Sequence, residues 1–233
     1  MTHSDSPENW QATMDLLSTP KTIPAFYTMS DPLSNSAFRG KVDDVALYEE
    51  MEMAKLGRGR PSQVPLIRQS MGRKLCDFIW VSLVPIIHQR VVDLLTLGGV
   101  TGWTSYPVLV IDRNGREVRD YHGLCITGRC ESIFVDRKRA EVVYRDLPGG
   151  RFPYYKGLHV TTESWDGSDI FAAADGKTGH IVVTEKVRKL FAKARVTNVE
   201  LNPIAEYVSP EKAEDQPSFP KAAAGADGPD RPQ

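Results

Sequence analysis

The chain has 233 residues, of which 41% are hydrophobic and 25% are charged, and these ordinary proportions exclude a collagen-like, coiled-coil or wholly disordered chain. Its net charge is -1, but both ends of the chain carry a net negative charge and leave a mildly basic central body, which argues against an acidic DNA mimic. The longest apolar run, 78–87, is interrupted by Ser82 and Pro85 and is shorter than the ~20 residues that span a bilayer.

The N-terminal residues and the cysteines indicate the compartment. Residues 1–20 contain no Lys or Arg and no apolar core, so we expect neither a secretory signal nor a transit peptide. Three cysteines form an odd, sparse set, which does not suggest a disulfide framework. We therefore expect a cytoplasmic protein with reduced thiols and no membrane partner.

The first predicted elements lie between residues 1 and 74. Residues 1–20 are predicted to be a flexible segment, and an extended segment follows at 23–29, where two prolines disfavour a helix. A switch from acidic to basic residues predicts a helix over 43–56 that ends at Gly57, followed by a basic loop over 57–74.

The rest of the chain shows strand signals separated by turns. Runs rich in β-branched and aromatic residues predict strands at 76–83, 103–112, 117–126, 133–144, 154–160 and 180–183, with a closing strand at 199–207. Asn114 and Gly115, between the second and third of these strands, are the strongest local hairpin signal in the chain.

Two further helices follow from the spacing of apolar residues. One is predicted near 85–97, with Pro85 in its first turn. The other is predicted over 184–195, with Thr184 as its N-cap and charges that suit the helix dipole.

Two segments of the chain resemble each other. Residues 86–108 align without a gap on residues 182–204, and the alignment matches Val91 with Val187 and Thr101 with Thr197. Either a duplication or the convergence of two strand-helix-strand units explains the match. Both explanations predict the same secondary structure for the two segments.

Together these patterns predict an α+β fold: a single domain over 21–208, with a mainly antiparallel sheet and two or three packed helices. Residues 209–233 are rich in Pro, Ala, Gly and Asp. Such a composition buries too little apolar surface to offset the entropy of ordering, so we predict a disordered C-terminal tail.

His122, Cys125 and Cys130 are the first candidate for chemistry. One imidazole and two thiolates could bind zinc or form a nucleophilic pair, but the spacing offers no fourth ligand at a recognisable distance. Buried free thiols are the favoured interpretation. No metal, no cofactor and no catalytic residue is predicted, and the usual phosphate-loop, dinucleotide and nucleophile-elbow motifs do not occur in the sequence.

The candidate partner-binding residues lie in two loops. Trp165, Asp166 and Asp169 occupy a segment with turn chemistry, and Trp is typical of interface hot spots, where the two carboxylates would pair with Arg or Lys of a partner. Arg58 and Arg60 belong to the basic loop and are candidates for contact with a phosphate or an acidic partner. Turn formation and a solvated loop are the alternative interpretations.

Seven short motifs spread over residues 24–207 are similar to those of one known family. They are Cys76–Trp80, Gly102–Val108, Tyr121–Leu124, Thr127–Cys130, Tyr155–Leu158, Ser164–Asp169 and Val196–Val199. The chain resembles immunity proteins of bacterial polymorphic toxin systems, specifically the eleventh-numbered immunity family, which is common in myxobacterial genomes. The resemblance implies a small cytosolic α+β protein that is not an enzyme and that binds and neutralises a cognate toxin.

Two other functions remain alternatives. One is a metal-dependent or hydrolytic enzyme that uses Asp166 with Asp169, or the group of His122, Cys125 and Cys130. The other is a nucleic-acid-binding regulator that uses the basic stretch 55–74. We do not favour the second, because aromatic residues are not interleaved with these basic ones.

Overall fold

The structure, a computed structural model, describes residues 25–148, 150–175 and 179–212. The prediction for residues 1–20, and that for the tail beyond residue 212, lie outside the described residues. Within them the chain forms an α+β domain in which most strand pairs are antiparallel, as the sequence predicts.

The described part of the chain contains three α-helices and eighteen strands. The helices are α1 (Val45–Lys55), α2 (Gln89–Leu97) and α3 (Glu185–Ala194). The strands are β1 (Phe26–Ser30), β2 (Arg39–Lys41), β3 (Leu66–Met71), β4 (Phe78–Val81), β5 (Val84–His88), β6 (Trp103–Pro107), β7 (Leu109–Ile111), β8 (Glu117–Val118), β9 (Tyr121–Ile126), β10 (Gly128–Cys130), β11 (Ile133–Phe134), β12 (Glu141–Leu147), β13 (Gly150–Lys156), β14 (His159–Val160), β15 (Ile170–Ala173), β16 (Ile181–Thr184), β17 (Glu200–Pro203) and β18 (Val208–Lys212).

The largest sheet has eight strands in the order β6-β9-β5-β4-β2-β3-β7-β8. The hairpin predicted around Asn114 and Gly115 is present, because β7 pairs with β8 and β6 with β9. The pair β6 and β9 lies at one end of the strand order and the pair β7 and β8 at the other, so the sheet curls on itself. Helix α1 packs on this sheet, and Met51 is fully buried beside Ile67 and Ile86, each burial contributing about 1.5–3 kcal/mol.

A second sheet of five strands, ordered β10-β15-β16-β1-β17, packs with α2 and α3. The apolar stripe predicted for each helix faces this core. Val91 and Leu95 of α2, and Val187 and Phe191 of α3, are at most 3% exposed. Helix α3 begins after Thr184, as predicted, but the Thr184 hydroxyl donates to Asp169 (3.1 Å) and does not cap the helix.

The two similar segments have the same secondary structure, as predicted. Each is part of a longer unit: β4-β5-α2-β6 in the first case and β15-β16-α3-β17 in the second. The units also exchange contacts. Asp77, before β4, accepts hydrogen bonds from the Thr197 amide (2.8 Å) and hydroxyl (2.9 Å) and pairs with Arg90 (2.7 Å). In the same way Asp169, before β15, accepts hydrogen bonds from the Thr101 amide (3.0 Å) and hydroxyl (3.3 Å).

The predicted start of the first of these helices is wrong. Residues 84–88 form strand β5, which pairs with β4 through a tight turn in which Ser82 has a φ of 53°. Pro85 therefore lies in a strand opposite Trp80 and not in a first helical turn. A strand buried on both faces is a continuous apolar run, and such a run matches helical spacing by accident.

Several other boundaries also differ from prediction. The strands predicted at 103–112 and 117–126 are each divided in two, into β6 and β7 and into β8 and β9, and the strand predicted at 154–160 is divided between β13 and β14. The basic loop 57–74 contains strand β3, and the strand predicted at 133–144 is two strands, β11 and β12, separated by a turn. The tail was predicted to begin at residue 209, yet β18 continues to Lys212 because it pairs with β13.

Candidate functional site

The predicted anchor Trp165 is half-buried, and its ring packs on the core. The ring lies edge-on to Phe26, with 5.2 Å between centroids, and 5.7 Å from the centroid of Phe171. Its Nε1 donates a hydrogen bond to the Ser168 carbonyl (3.0 Å). Aromatic residues of the core thus cover one side of the Trp165 ring, so this side chain is half-buried and not fully exposed. Its role in partner binding stays a prediction.

The Asp166 carboxylate is occupied by the backbone of its own loop and of β10. It accepts hydrogen bonds from the Arg129 amide (2.7 Å) and the Ser168 amide (2.9 Å). Partial burial alone raises the pKa of Asp166, but these hydrogen bonds outweigh the burial and hold the pKa below its usual value. Asp166 thus joins the loop to a neighbouring strand, which supports the turn interpretation.

Asp169 is also occupied. Besides Thr101 and Thr184, its carboxylate contacts the Lys186 ammonium at 2.8 Å. Partial burial alone raises the pKa of Asp169, but the Lys186 and Thr101 hydrogen bonds outweigh it and hold the pKa below its usual value. The carboxylate joins the two repeated units, so its role in the fold accounts for its position.

His122, Cys125 and Cys130 do not form one site. Cys125 packs with Ala54 and Tyr106, whereas Cys130 belongs to a separate core cluster. Burial raises the pKa of Cys130 to about 11 and also raises that of Cys125, so both thiols are neutral at pH 7 and are weak ligands and nucleophiles. Within the described residues there is no group of three or more His, Cys, Asp or Glu arranged to hold a metal ion.

The basic stretch 55–74 does not form one surface. Lys55 is buried, Arg58 donates to the Ala174 carbonyl (2.7 Å), and Arg68 lies 3.3 Å from Asp43. Arg60 is exposed at a shallow hollow of about 200 Å³ that Tyr106 also lines. Strand β3, with six residues and therefore roughly 20 Å long, separates the residues near Arg60 from those at its far end.

A groove that the sequence analysis did not identify lies at that far end. It consists of two adjoining hollows of about 390 and 360 Å³, and both are lined by Leu75 and Val118. We call it the Leu75 groove. Its further lining includes Arg73 and Arg113 in the first hollow, and His88, Arg90, Arg119 and Tyr121 in the second. Leu75 is 52% exposed and lies between the two hollows.

Two of the three carboxylates that line the Leu75 groove are already engaged, whereas the third, Asp120, is exposed and makes no side-chain hydrogen bond or ion pair in the described part of the chain. Asp112 accepts hydrogen bonds from the amides of Asn114 (2.8 Å) and Arg116 (2.9 Å), which lower its pKa below the usual value. Asp77 is held by Thr197 and Arg90, as described above. Asp112 and Asp77 satisfy the protein's own donors, so these two carboxylates offer little to a partner.

Two arginines of the groove, by contrast, have no ion pair with a carboxylate in the described part of the chain. The Arg73 side chain makes no hydrogen bond or ion pair within the described ranges, and the Arg113 guanidinium donates to the Ser70 carbonyl (3.3 Å). Arg119 forms only a long ion pair with Glu117, at 3.7 Å. The groove therefore combines an exposed apolar residue with cations that are free to pair with carboxylates of another molecule.

The groove also marks a difference between the two repeated units. Hairpin β7–β8 follows the first unit and provides Arg113 and Val118, whereas a 3-10 turn and β18 follow the second. The wall of the groove is thus an addition to one unit alone.

No family model matches this chain, and no curated protein matches it either. Among the described helices, none has the length and apolar character needed to cross a membrane.

Proposed function

We propose that the protein is an immunity protein that binds a cognate toxin and neutralises it, with the Leu75 groove as its binding surface. The motif resemblance supports the class of function. The observation that carries the choice of surface is the exposed Leu75 beside Arg73 and Arg113, two arginines that have no ion pair with a carboxylate in the described part of the chain. The proposal places the protein in the cytoplasm, where its three free thiols stay reduced.

The groove fits a toxin segment that carries carboxylates and one apolar side chain. Arg73 and Arg119 would attract the carboxylates, because arginine forms paired hydrogen bonds with them. Leu75 would provide the apolar contact at the centre, and the charged rim would exclude water around it, which is the arrangement typical of binding hot spots. Neutralisation then requires only that the bound segment lie at or beside the active site of the toxin.

The proposal expects a neighbouring gene to encode a protein with a toxin domain, and the test is co-expression with that protein in a host that it kills. The wild-type chain should rescue growth and co-purify with the toxin. The double variant Arg73→Glu with Arg113→Glu should lose at least about tenfold in affinity, since reversing charges at an interface costs several kcal/mol.

Arg60→Glu is the matched control, because Arg60 is an exposed arginine on the other basic surface. This control should bind and rescue like the wild type. Failure of the wild type to rescue or to co-purify rejects neutralisation. Loss of rescue with Arg60→Glu but not with the double variant rejects the Leu75 groove.

A further inference from the structure

Strand β12 is the outermost strand of the sheet β12-β13-β18 and pairs with β13 on one side in the described chain. It has seven residues, and most of them are exposed. A long, exposed edge strand is a template for pairing with another chain, and natural proteins usually cover or shorten such edges. The edge therefore needs an occupant or a means of protection.

The hairpin fixes which backbone groups of β12 face outward. Leu147 pairs with Gly150 across a two-residue loop, so the odd-numbered residues of β12 exchange hydrogen bonds with β13. The position of Pro153 agrees, because proline has no amide proton and lies opposite an even-numbered residue, Tyr144. The even-numbered residues of β12 thus direct their backbone groups away from β13.

These outward groups limit how a second copy of β12 can pair with the first. A register centred on Val143 places Glu141 of each copy opposite Arg145 of the other, and so forms two ion pairs. A register centred on Tyr144 places Val143 opposite Arg145 and forms none. A register centred on Arg145 places two arginines face to face, which is destabilising.

We propose that two copies of the chain associate through antiparallel pairing of β12 with β12, centred on Val143, into a continuous six-stranded sheet. The charges of the strand are complementary to themselves in this register, which is why the occupant is a second copy. Glu141 and Arg145 meet at sites without backbone hydrogen bonds between the copies, where side chains approach closest. The Glu141 side chain is 67% exposed, and its contact with Lys156 is long, at 3.7 Å.

Further contacts in this register support the pairing. Val142 lies opposite Tyr144 of the second copy, and pairs of β-branched and aromatic residues stabilise antiparallel strands. The Leu75 groove is on the curled sheet and not on this one. The dimer is therefore independent of the proposed toxin binding.

Cysteine cross-linking tests the register. In a Cys76→Ser background, Val143→Cys faces itself across the two-fold axis at a Cα separation of about 4.5 Å, which permits a disulfide. Leu147→Cys is the matched control, because this residue is exposed on the same face but lies opposite residue 139 of the second copy. Mild oxidation should give a covalent dimer with Val143→Cys and little with Leu147→Cys. Equal cross-linking of both, or of neither, overturns the proposal.

Charge reversal tests the ion pairs. Glu141→Arg and Arg145→Glu should each weaken self-association at least about tenfold in sedimentation measurements, since both place like charges opposite each other. Mixing the two variants should restore association, because both arginines of the first variant then lie opposite glutamates of the second. Asp146→Arg, outside these pairs, should associate like the wild type. A wild-type chain that stays monomeric at high micromolar concentration, or a mixture that associates no better than its components, overturns the proposal.

Discussion

Replacing Asp169 with alanine should destabilise the fold, although the sequence predicts Asp169 as a partner-binding residue. Its side chain is only 14% exposed. The carboxylate accepts hydrogen bonds from the Thr101 amide and the Thr184 hydroxyl and pairs with Lys186. Through these bonds it connects the loop after α2 to the start of α3, so its loss affects both repeated units.

The size of the expected loss of stability follows from the donor groups that lose their acceptor when Asp169 is replaced. A buried donor left without a partner costs about 1–3 kcal/mol. Thr101 is exposed, so water can replace part of its hydrogen bond to Asp169. Thr184 is only 7% exposed, so its hydroxyl would be left without a partner. The surface ion pair with Lys186 adds at most about 1 kcal/mol. We expect Asp169→Ala to lower the free energy of unfolding by about 2–4 kcal/mol.

Urea unfolding followed by circular dichroism measures this loss. Asp77→Ala should lose a similar amount, because Asp77 makes the corresponding contacts in the other unit. Asp93→Ala is the control, since this exposed carboxylate of α2 contacts only Gln89 among the bonds described, and its loss should cost less than about 0.5 kcal/mol. A loss that small for Asp169→Ala would refute the proposed connection between the units.

The same carboxylate makes a pH-dependent contribution. The pKa of Asp169 is lower in the folded chain than in the unfolded one, so the unfolded chain takes up the proton first as the pH falls. The stabilisation is therefore complete above the ordinary aspartate pKa of about 3.9 and is lost as the pH falls through the lower native pKa. Acidification below pH 4 should narrow the difference in stability between the wild type and Asp169→Ala.

Three further predictions concern the core. Gly123→Ala should cost about 1–3 kcal/mol by thermal unfolding, because its Cβ would lie 2.1 Å from the buried Tyr106 ring; unchanged stability would mean that the ring moves freely. Trp165→Ala should lower the free energy of unfolding in urea by about 2–4 kcal/mol and leave the intrinsic toxin affinity unchanged. If the variant is fully folded and binds more weakly, Trp165 contacts the partner directly. A disulfide reagent that reacts with free thiols should modify half-exposed Cys76 within minutes and Cys130 only after unfolding. Comparable rates for the two thiols in native buffer would contradict the burial of Cys130.

Local sequence patterns predicted much of the secondary structure. The hairpin at Asn114 and Gly115, helix α1 and helix α3 all have strong signals of their own, namely turn residues, a charge switch and an apolar stripe. The prediction of where α2 starts is wrong because β5 is buried on both faces. The apolar run of β5 has no period that distinguishes it from a helix. Strand β18 was missed because its order depends on pairing with β13 and not on its own composition.

The Leu75 groove could not be predicted, because its walls come from distant parts of the chain. Arg73 and Arg113 are forty residues apart in the sequence and meet because β3 pairs in parallel with β7. The loop at Trp165 illustrates the opposite error. Its composition is typical of an exposed turn, and only the tertiary contact with Phe26 shows that one side of the ring packs against the core.

The exchange of aspartate contacts between the repeated units has a consequence for protein synthesis. Asp77 and Thr197 are 120 residues apart, so at a translation rate of about 5–20 residues per second the partner of Asp77 follows it by roughly 6–24 s. Until then the first unit lacks both the hydrogen bonds of Thr197 and the apolar face of α3. A ribosome that stalls between the two units would therefore hold a nascent chain whose first unit has an open core, and the exposed apolar surface of that unit would favour aggregation.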